Sequence, residues 1–310
     1  MSKKINRRDF IKTSTAIGVG AALSGEFSPD VVFGDEAADI GVAKGEDYFE
    51  NTKKAVELVG GIKKYVPENS KVAILPNVQS NNPGTFTKPE IVRAAIQMCK
   101  EAGAKKISCL SWLKESYWEK SGLKKVIDSE EIDLIITDMK DESLFEPVPV
   151  PKGVGLKEAR IMKSFFDYDV FINVPITKEH AGNDFTGTLK NLMGLNSPKS
   201  NRTFHRENWK TDPDDIRHLE QCIADLNTVV RPDLCIVDAT EFITTNGPFG
   251  PGELAKPLKV IAGTDRVAVD SYCSGLLGLN ARDVVAINKA FEHGLGEMDL
   301  SKVNLKEIEV

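Results

Sequence analysis

The sequence has no apolar run long enough to cross a membrane, no closely paired cysteines and no basic stripe. A membrane-spanning helix needs about 20 predominantly apolar residues, and no run in this chain reaches that length. The five cysteines stand singly, without a C-x-x-C pair, which removes support for an iron–sulfur or zinc-ribbon site and favours buried free thiols. A net charge of −6 argues against a general nucleic-acid binder.

Two phosphate-binding signatures are also missing. Neither G-x-x-x-x-G-K-[ST] nor a strand-borne G-x-G-x-x-G occurs, so nucleotide binding lacks its usual sequence support. What the chain does contain is typical of a globular protein, with 310 residues of which 41% are hydrophobic. That length is enough for one large domain or two smaller ones.

The first 25 residues have the features of an export signal. Five Lys or Arg against Asp9 give this segment a net charge of +4. Asn6-Arg7-Arg8-Asp9-Phe10-Ile11-Lys12 resembles a twin-arginine motif, and the short apolar stretch Thr13–Leu23 follows it. We predict a twin-arginine (Tat) signal peptide over residues 1–25, recognition by the Tat translocase, and a periplasmic protein that is membrane-tethered if the signal stays uncleaved. An amphipathic first helix of the fold is the alternative.

Residues 26–50 form the most acidic part of the chain. Eight acids stand there against Lys44, for a net charge of −7. Weak periodicity predicts an acidic linker over 26–50 that ends in a strand over Asp39–Ala43. Residues 51–310, with a net charge of −3, are predicted to form the folded domain.

Short apolar runs alternate with segments of helical periodicity from Lys71 onward. Strands are expected at 72–75, 106–110, 132–137, 169–174, 234–237 and 258–262. This alternation predicts an α/β fold, with a mainly parallel sheet covered by helices on both faces (three layers, αβα) in one or two lobes. Ligands of such sheets bind beyond the carboxyl ends of the strands. The candidate loops are therefore those after Leu75, Val174, Val237 and Ala262.

The loop after Val174 is the most basic part of the predicted domain. Between residues 178 and 210, six Lys or Arg stand against three acids, together with His180 and His205. Lys178 and Lys190 are suited to hold a carboxylate or phosphate. His180 titrates near neutral pH, and with Lys178 it is the catalytic candidate. A solvated basic loop is the alternative interpretation.

Further polar residues follow the other predicted strands. The Gly-rich turn after Val237 can present backbone N–H groups to an anion, although such turns are more often only turns. Asp265 is placed to cap the next helix. The ligand-binding candidates are Asn77, Lys190, Asn191, His205, Asn246, Gly247 and Asp270.

A metal site is an open alternative. Imidazole and carboxylate ligands together suit zinc, nickel or iron. The candidate ligands are His180, His205, Asp238 and Glu241. No pair of them has a local ligand spacing such as H-x-x-x-H.

An ordered series of segments resembles a known family, the bacterial and archaeal domain of unknown function 362. The series includes Leu75-Pro-Asn77, Phe171-Ile-Asn-Val-Pro175, Lys178-Glu-His180, Gly187-Thr-Leu-Lys-Asn-Leu-Met-Gly194 and Ala262-Gly-Thr-Asp-Arg-Val-Ala-Val-Asp270. The resemblance covers about residues 70–300 and implies functional roles for Lys178, His180, Lys190 and Asn191. Many relatives also carry a ferredoxin-like Cys-rich segment, which this chain lacks; the cofactor, if there is one, stays unknown.

The first hypothesis is an exported α/β protein whose Lys/His/Asn cleft binds a small anionic molecule and performs acid–base chemistry on it. The alternative is a non-catalytic metal or cofactor carrier, exported already folded. A third possibility is a scaffold for a membrane partner, suggested only by the acidic segment 26–50. No nucleic-acid partner is expected.

Overall fold

An eight-stranded sheet forms the centre of the computed structural model, which describes residues 37–310. Two short two-stranded sheets, β5–β6 and β9–β10, lie beside it. In chain order the strands are β1 Ile40–Lys44, β2 Lys71–Pro76, β3 Lys106–Ser111, β4 Asp133–Ile136, β5 Phe145–Pro149, β6 Glu158–Met162, β7 Val170–Val174, β8 Leu234–Ala239, β9 Phe242–Ile243, β10 Leu254–Ala255, β11 Lys259–Gly263 and β12 Leu305–Glu309. Every residue of β7 and β8 is buried, because both faces of a parallel sheet are covered.

The helices begin at residues suited to that position. They are α1 Tyr48–Leu58, α2 Pro89–Glu101, α3 Glu115–Lys120, α4 Leu123–Ser129, α5 Thr188–Asn191, α6 Pro198–His205, α7 Pro213–Leu226, α8 Arg266–Gly275 and α9 Val285–Glu292. Pro89 lies in the first turn of α2, where its missing N–H costs nothing. The carboxylates of Asp212 and Asp265 accept N–H groups at the starts of α7 and α8, as predicted for Asp265.

The strand order is β12-β1-β11-β8-β7-β2-β3-β4. All neighbours from β8 to β4 are parallel, and β11 is antiparallel to both of its neighbours. The predicted mainly parallel α/β sheet is thus confirmed. β11 runs in the opposite direction to the parallel strands. The loop after Ala262 therefore lies at the opposite end of the sheet, measured along the strands, from the loops that follow the parallel strands. The expectation that this loop contributes to the same ligand edge was therefore wrong.

Two apolar cores lie on the two faces of the sheet. One contains Val72 and Ile74 of β2 together with side chains of α1, α2 and α4. The other contains Ala73 and Leu75 of the same strand together with side chains of α7, α8, α9 and the β5–β6 hairpin. The alternation along β2 sends neighbouring side chains to opposite faces. The described residues form one three-layer unit rather than two lobes.

The folded domain begins earlier than the charge pattern indicates. The strand predicted at Asp39–Ala43 is present as β1, which pairs with β11 on one side and β12 on the other. Helix α1 then covers residues 48–58. Residues 40–44 lie in a paired strand and Glu50 lies in the helix that follows, so the linker boundary predicted at residue 50 is too late. The predicted signal peptide and residues 26–36 lie outside the described residues.

The hairpin β5–β6 was not recognised from the sequence. Its strands contain Pro147 and Pro149, which count against a strand in pattern analysis. Asp225 of α7 holds the hairpin, since its Oδ2 accepts the N–H groups of residues 154, 155 and 156 at 2.7–2.8 Å. Nε2 of His293 lies 2.8 Å from the other oxygen of Asp225.

The predicted buried free thiols are confirmed. All five cysteines are free and buried, and burial raises the pKa of each thiol. Within residues 37–310, no helix has the length and apolar character needed to cross a membrane.

Candidate functional site

A cavity of about 150 Å³ lies beyond the carboxyl ends of β2, β3 and β7. The chain continues from β2 to β3 and β4 on one side and returns through β7 and β8 on the other. The cavity therefore lies at the point where the strand order reverses, the usual ligand position in an open α/β sheet. Its walls are residues 75–79 and 110–113, His180, Thr186, Lys190, Asn191, Met193, Gly194, Asn201 and His205.

Three donors in this wall are buried without a hydrogen-bond partner in the described part of the chain. They are Nζ of Lys190, Oγ1 of Thr186 and Nε1 of Trp112. The stem of Lys190 is partly exposed, but Nζ itself is covered. Buried polar atoms in native proteins are normally paired. Three orphaned donors around one small space indicate that a hydrogen-bond acceptor belongs in it.

Two imidazoles complete the polar side of the cavity. Nδ1 of His180 lies 2.9 Å from the carbonyl oxygen of Ala181, and Nδ1 of His205 lies 2.8 Å from that of Asn201. A carbonyl only accepts, so each Nδ1 carries the proton and each neutral ring keeps its lone pair on Nε2. Trp209 packs against both rings, with centroid distances of 5.5 Å to His180 and 4.9 Å to His205.

Burial lowers the pKa values of the basic groups at the cavity. Burial lowers the pKa of Lys190 to about 8, an effect opposed by Glu220. Burial and then Lys190 hold the pKa of His180 well below its usual range, and the same two causes lower that of His205. Burial also raises the pKa of Glu220 to about 7. Glu220 does not line the cavity; its carboxylate accepts from Asn183 and from the N–H of residue 286.

A buried chain of amide hydrogen bonds supports one wall. Nζ of Lys178 donates to Oδ1 of Asn77 at 3.3 Å, and Nδ2 of Asn77 donates to Oδ1 of Asn191 at 3.1 Å. Asn191 in turn donates to Oδ1 of Asn173 at 2.8 Å, and Asn173 donates to the carbonyl of Thr188 at 2.9 Å. The chain joins the end of β2, the strand β7 and helix α5. Asn77 and Asn191 thus lie in the cavity wall together with Lys190.

Lys178 lies behind this wall and does not line the cavity. Its side chain is fully buried, and Nζ also donates to the carbonyls of Thr85 at 2.7 Å and Pro248 at 3.1 Å. Burial and then Lys190 lower the pKa of Lys178 to about 7, whereas three acceptors around Nζ favour the ammonium form. The structure gives Lys178 the geometry of a cross-link between loops, not that of a group in contact with a ligand.

The Gly-rich turn after β8 packs behind Lys178 and not into the cavity. Asn246 is exposed, and its Nδ2 donates to the carbonyl of Pro251 at 3.1 Å. The N–H of Gly247 donates to Oε2 of Glu179 at 2.5 Å. A side chain at Gly247 would begin 1.8 Å from the carbonyl oxygen of Glu179, so the close approach of the two loops requires glycine. Neither Asn246 nor Gly247 lines the cavity.

Asp270 supports the site from outside the cavity. Its carboxylate accepts the N–H groups of Thr188 at 2.6 Å and Leu189 at 2.9 Å. It therefore caps α5, the short helix that carries Lys190. Burial raises the pKa of Asp270 to about 6, against the lowering effect of these two N–H groups. Glycine at 187 leaves room for it, because a Cβ there would lie 2.4 Å from Oδ1 of Asp270.

The four candidate metal ligands are not brought together. His180 and His205 share the cavity, but Oδ2 of Asp238 accepts the N–H of Lys88, and its Oδ1 accepts from Thr240. Glu241 forms ion pairs with Lys88 and Lys256. Across residues 37–310, no group of three or more His, Cys, Asp or Glu is arranged to hold a metal ion.

Several residues of the site were missed at the level of sequence. Asn173 is a polar residue inside an otherwise apolar strand, a pattern that signals a buried hydrogen-bond role. Trp112, Thr186 and Trp209 have no comparable signal, since their positions depend on how loops far apart in the chain come together. Glu220 is one of several charged residues in α7, and no sequence pattern distinguishes it from the others.

The residues that form the cavity lie inside a region that matches a known protein family. Residues 72–275 match the family described as Domain of unknown function (DUF362). The chain belongs to this family. The DUF362 region contains every residue that lines the cavity, whereas β1 and β12 lie outside it. The chain is also 26% identical over 231 residues to the thylakoid-associated protein sll1697 of Synechocystis, across 73% of this chain and 68% of that protein.

Two solved structures show partial likeness to this DUF362 protein. The lactate racemase apoprotein of Thermoanaerobacterium thermosaccharolyticum is 14% identical with a TM-score of 0.47, covering 79% of this chain and 58% of that one. A Thermotoga maritima protein is 12% identical with a TM-score of 0.45, covering 80% of this chain and 60% of that one. The chain thus spans less than two thirds of either solved structure.

Replacement of Lys190 by Met is expected to stabilise the ligand-free protein near neutral pH. The pKa of Lys190 in the folded state, about 8, lies below its ordinary 10.5, so the unfolded chain binds this proton more tightly. Burial of the cation then costs on the order of 3 kcal/mol below pH 8, and the cost fades as the pH rises to 10.5. We expect urea denaturation to show a gain of about 1–3 kcal/mol at pH 7 that disappears towards pH 10.5.

Lys199→Met is the matched control, because Lys199 is exposed in α6 and surface changes usually alter stability by less than about 0.5 kcal/mol. Glu220 does not cancel the gain. Without the nearby cation the pKa of Glu220 rises above about 7, which favours the neutral form of this group at pH 7. A loss of stability in Lys190→Met at pH 7 would contradict the view that its Nζ is unpaired.

Proposed function

We propose that this protein binds a small anion in the cavity beyond β2, β3 and β7, with Lys190 as the principal charge. One observation carries the proposal: three buried donors without partners surround a space whose described lining contains no Asp or Glu. Unpaired donors in a site of low dielectric interact strongly with negative charge. A bound anion would provide the acceptor that the three donors lack.

The cavity volume restricts the anion to a small molecule. About 150 Å³ is the size of an engineered apolar cavity that binds benzene. A nucleotide or a sugar phosphate exceeds this space. The ligand class is therefore a small carboxylate or a comparable oxyanion.

Anion binding should be coupled to proton uptake by the protein. Lys190 is surrounded by Lys178, His180 and His205 as bases and by Glu220 as an acid. An anion at Nζ favours the ammonium form and raises the pKa of Lys190 above its ligand-free value of about 8. Affinity is then highest below pH 8 and falls as the pH rises through and above that value.

Calorimetric titration with acetate, formate, phosphate and sulfate tests the binding proposal. We expect at least one of these anions to bind the wild type, with roughly tenfold or greater weakening in Lys190→Met, because removal of a charged hydrogen bond costs about 1.5–3 kcal/mol. Titration at pH 7 and pH 9.5 should show weaker binding at the higher pH.

Lys199→Met again provides the control and should bind as the wild type does. Equal affinities of the wild type and Lys190→Met would contradict the assignment of Lys190. An affinity that rises with pH would contradict the coupling to its protonation.

A second candidate function, acid–base catalysis on the bound anion, is favoured by the two imidazoles. With Nδ1 fixed by a carbonyl, His180 and His205 each retain a basic Nε2 at the cavity. Their lowered pKa values keep both rings neutral at pH 7, the form that accepts a proton. The simplest reaction breaks the C–H bond next to the carboxylate: the proton passes to Nε2, the electron pair delocalises into the carboxylate as an enediolate beside the Lys190 ammonium, and the proton later returns to carbon.

Deuterium exchange measures this step without any co-reactant. In D₂O, we expect the wild type to replace carbon-bound hydrogen of a bound carboxylate with deuterium, as followed by proton NMR. His180→Gln or His205→Gln should reduce the rate by roughly 10²-fold or more. Binding titrations of both variants separate lost catalysis from lost affinity. Exchange that is absent in the wild type leaves the protein a binding protein only.

The alternative function, a carrier of a metal or cofactor, has less support from the side chains that line the cavity. The cavity offers two imidazole nitrogens but no carboxylate or thiolate beside them among its described lining residues. Nearby lysines also oppose a metal cation. The site chemistry suits an anion better than a metal.

We also propose that the protein is exported to the periplasm by the twin-arginine route. The support is the segment around Arg7 and Arg8 with its short apolar stretch. Residues 1–36 fused to a fluorescent reporter should be exported in a Tat-competent bacterium, and Arg7→Lys Arg8→Lys should abolish export. Lys3→Gln Lys4→Gln, which lowers the charge of the segment but keeps both arginines, should not. Export of the Arg7→Lys Arg8→Lys variant at the wild-type level would reject the motif.

A further inference from the structure

The lining of the cavity contains both basic or polar side chains and apolar side chains. His180, Thr186 and Lys190 all come from the segment after β7, and His205 from α6. Leu75 and Leu110 at the ends of β2 and β3, Leu113 after β3 and Met193 after β7 add apolar side chains, and Trp112 after β3 adds an indole N–H. In this cavity a charged head group and an apolar part would each meet a wall of the matching kind.

Resting on the proposed anion site, we infer that its ligand is an organic monocarboxylate with a short apolar tail, and not an inorganic oxyanion. A carboxylate has two oxygens on one side, which the orphaned donors of Lys190, Thr186 and Trp112 can satisfy. Its tail is then left for the leucine side chains and Met193, from which burial expels water.

An inorganic phosphate or sulfate is a poorer match to the same walls. Its four oxygens point in all directions and each needs a donor or water. Those that face Leu75, Leu110 or Met193 would lose their water without a replacement hydrogen bond. Buried acceptors left in that state are costly.

The volume sets the length of the tail. An engineered apolar cavity of about 150 Å³ is large enough for benzene, which has six heavy atoms. Butyrate also has six heavy atoms, so it matches the size of the cavity of about 150 Å³. Longer chains would extend out of the cavity and add little contact.

The decisive experiment compares acetate, propionate, butyrate and hexanoate with phosphate and sulfate by calorimetric titration at pH 7. We expect affinity to rise about fourfold for each methylene from acetate to butyrate and to level off by hexanoate. Both inorganic anions should bind more weakly than butyrate. All binding should require Lys190, as judged with Lys190→Met.

A polar substitution in the apolar wall tests the location of the tail. Met193→Gln, close in volume, should lower the acetate-to-butyrate ratio of dissociation constants from about 16 to below about 4. Leu113→Gln, at a half-buried position, serves the same purpose if the first variant does not fold. Met298→Gln, outside the cavity lining, is the control and should keep the wild-type ratio.

The outcomes separate this inference from the proposal on which it rests. Phosphate that binds as tightly as butyrate, with both lost in Lys190→Met, would overturn the carboxylate class and keep the anion site. Equal affinity for acetate and butyrate would do the same. Failure of every anion to bind would remove both.

Discussion

The site depends on one buried chain of hydrogen bonds, from Lys178 through Asn77, Asn191 and Asn173 to the carbonyl of Thr188. Each amide donates to the next, so no member can be replaced by an apolar residue without leaving a buried polar group unpaired. The chain fixes the loop after β2 against β7 and α5. It therefore holds Lys190, one residue before Asn191, at the cavity. Lys178 acts at the start of this chain, which explains its burial without any contact with a ligand.

Lys190 differs from this network, because its Nζ has no hydrogen-bond partner among the described residues. The same helix that carries the satisfied Asn191 carries an amine that is buried and unpaired. Such an arrangement lowers stability in the empty protein, and native proteins retain it chiefly where a partner arrives from outside. Asp270 gives further support, because its carboxylate caps the first turn of α5 and so positions the lysine. Rigid support around one unsatisfied cation is what the proposed anion site requires.

Much of the fold was predictable, because periodicity and burial are local properties. Buried strands such as β7 and β8 read as continuous apolar runs. The hairpin β5–β6 escaped prediction because prolines count against strands, although both occur in a two-stranded sheet beside the main one. The acidic segment before residue 50 was interpreted as a linker, since charge composition does not reveal that β12, more than 250 residues later, pairs with β1.

The sequence by itself determined the α/β class, the family, the basic segment after β7 and the identities of Lys190, His180, Asn77 and Asn191 as residues of interest. The tertiary structure determined which candidate site residues lie together at the cavity. It brought His205 of α6 to the cavity, turned Asn246, Gly247, Asp238 and Glu241 to other contacts, and placed Lys178 behind the wall. The physical reason is that a local pattern sets the secondary structure of a segment. Pairing and burial of a polar side chain depend on partners that are distant in the chain, and only the packed sheet specifies them.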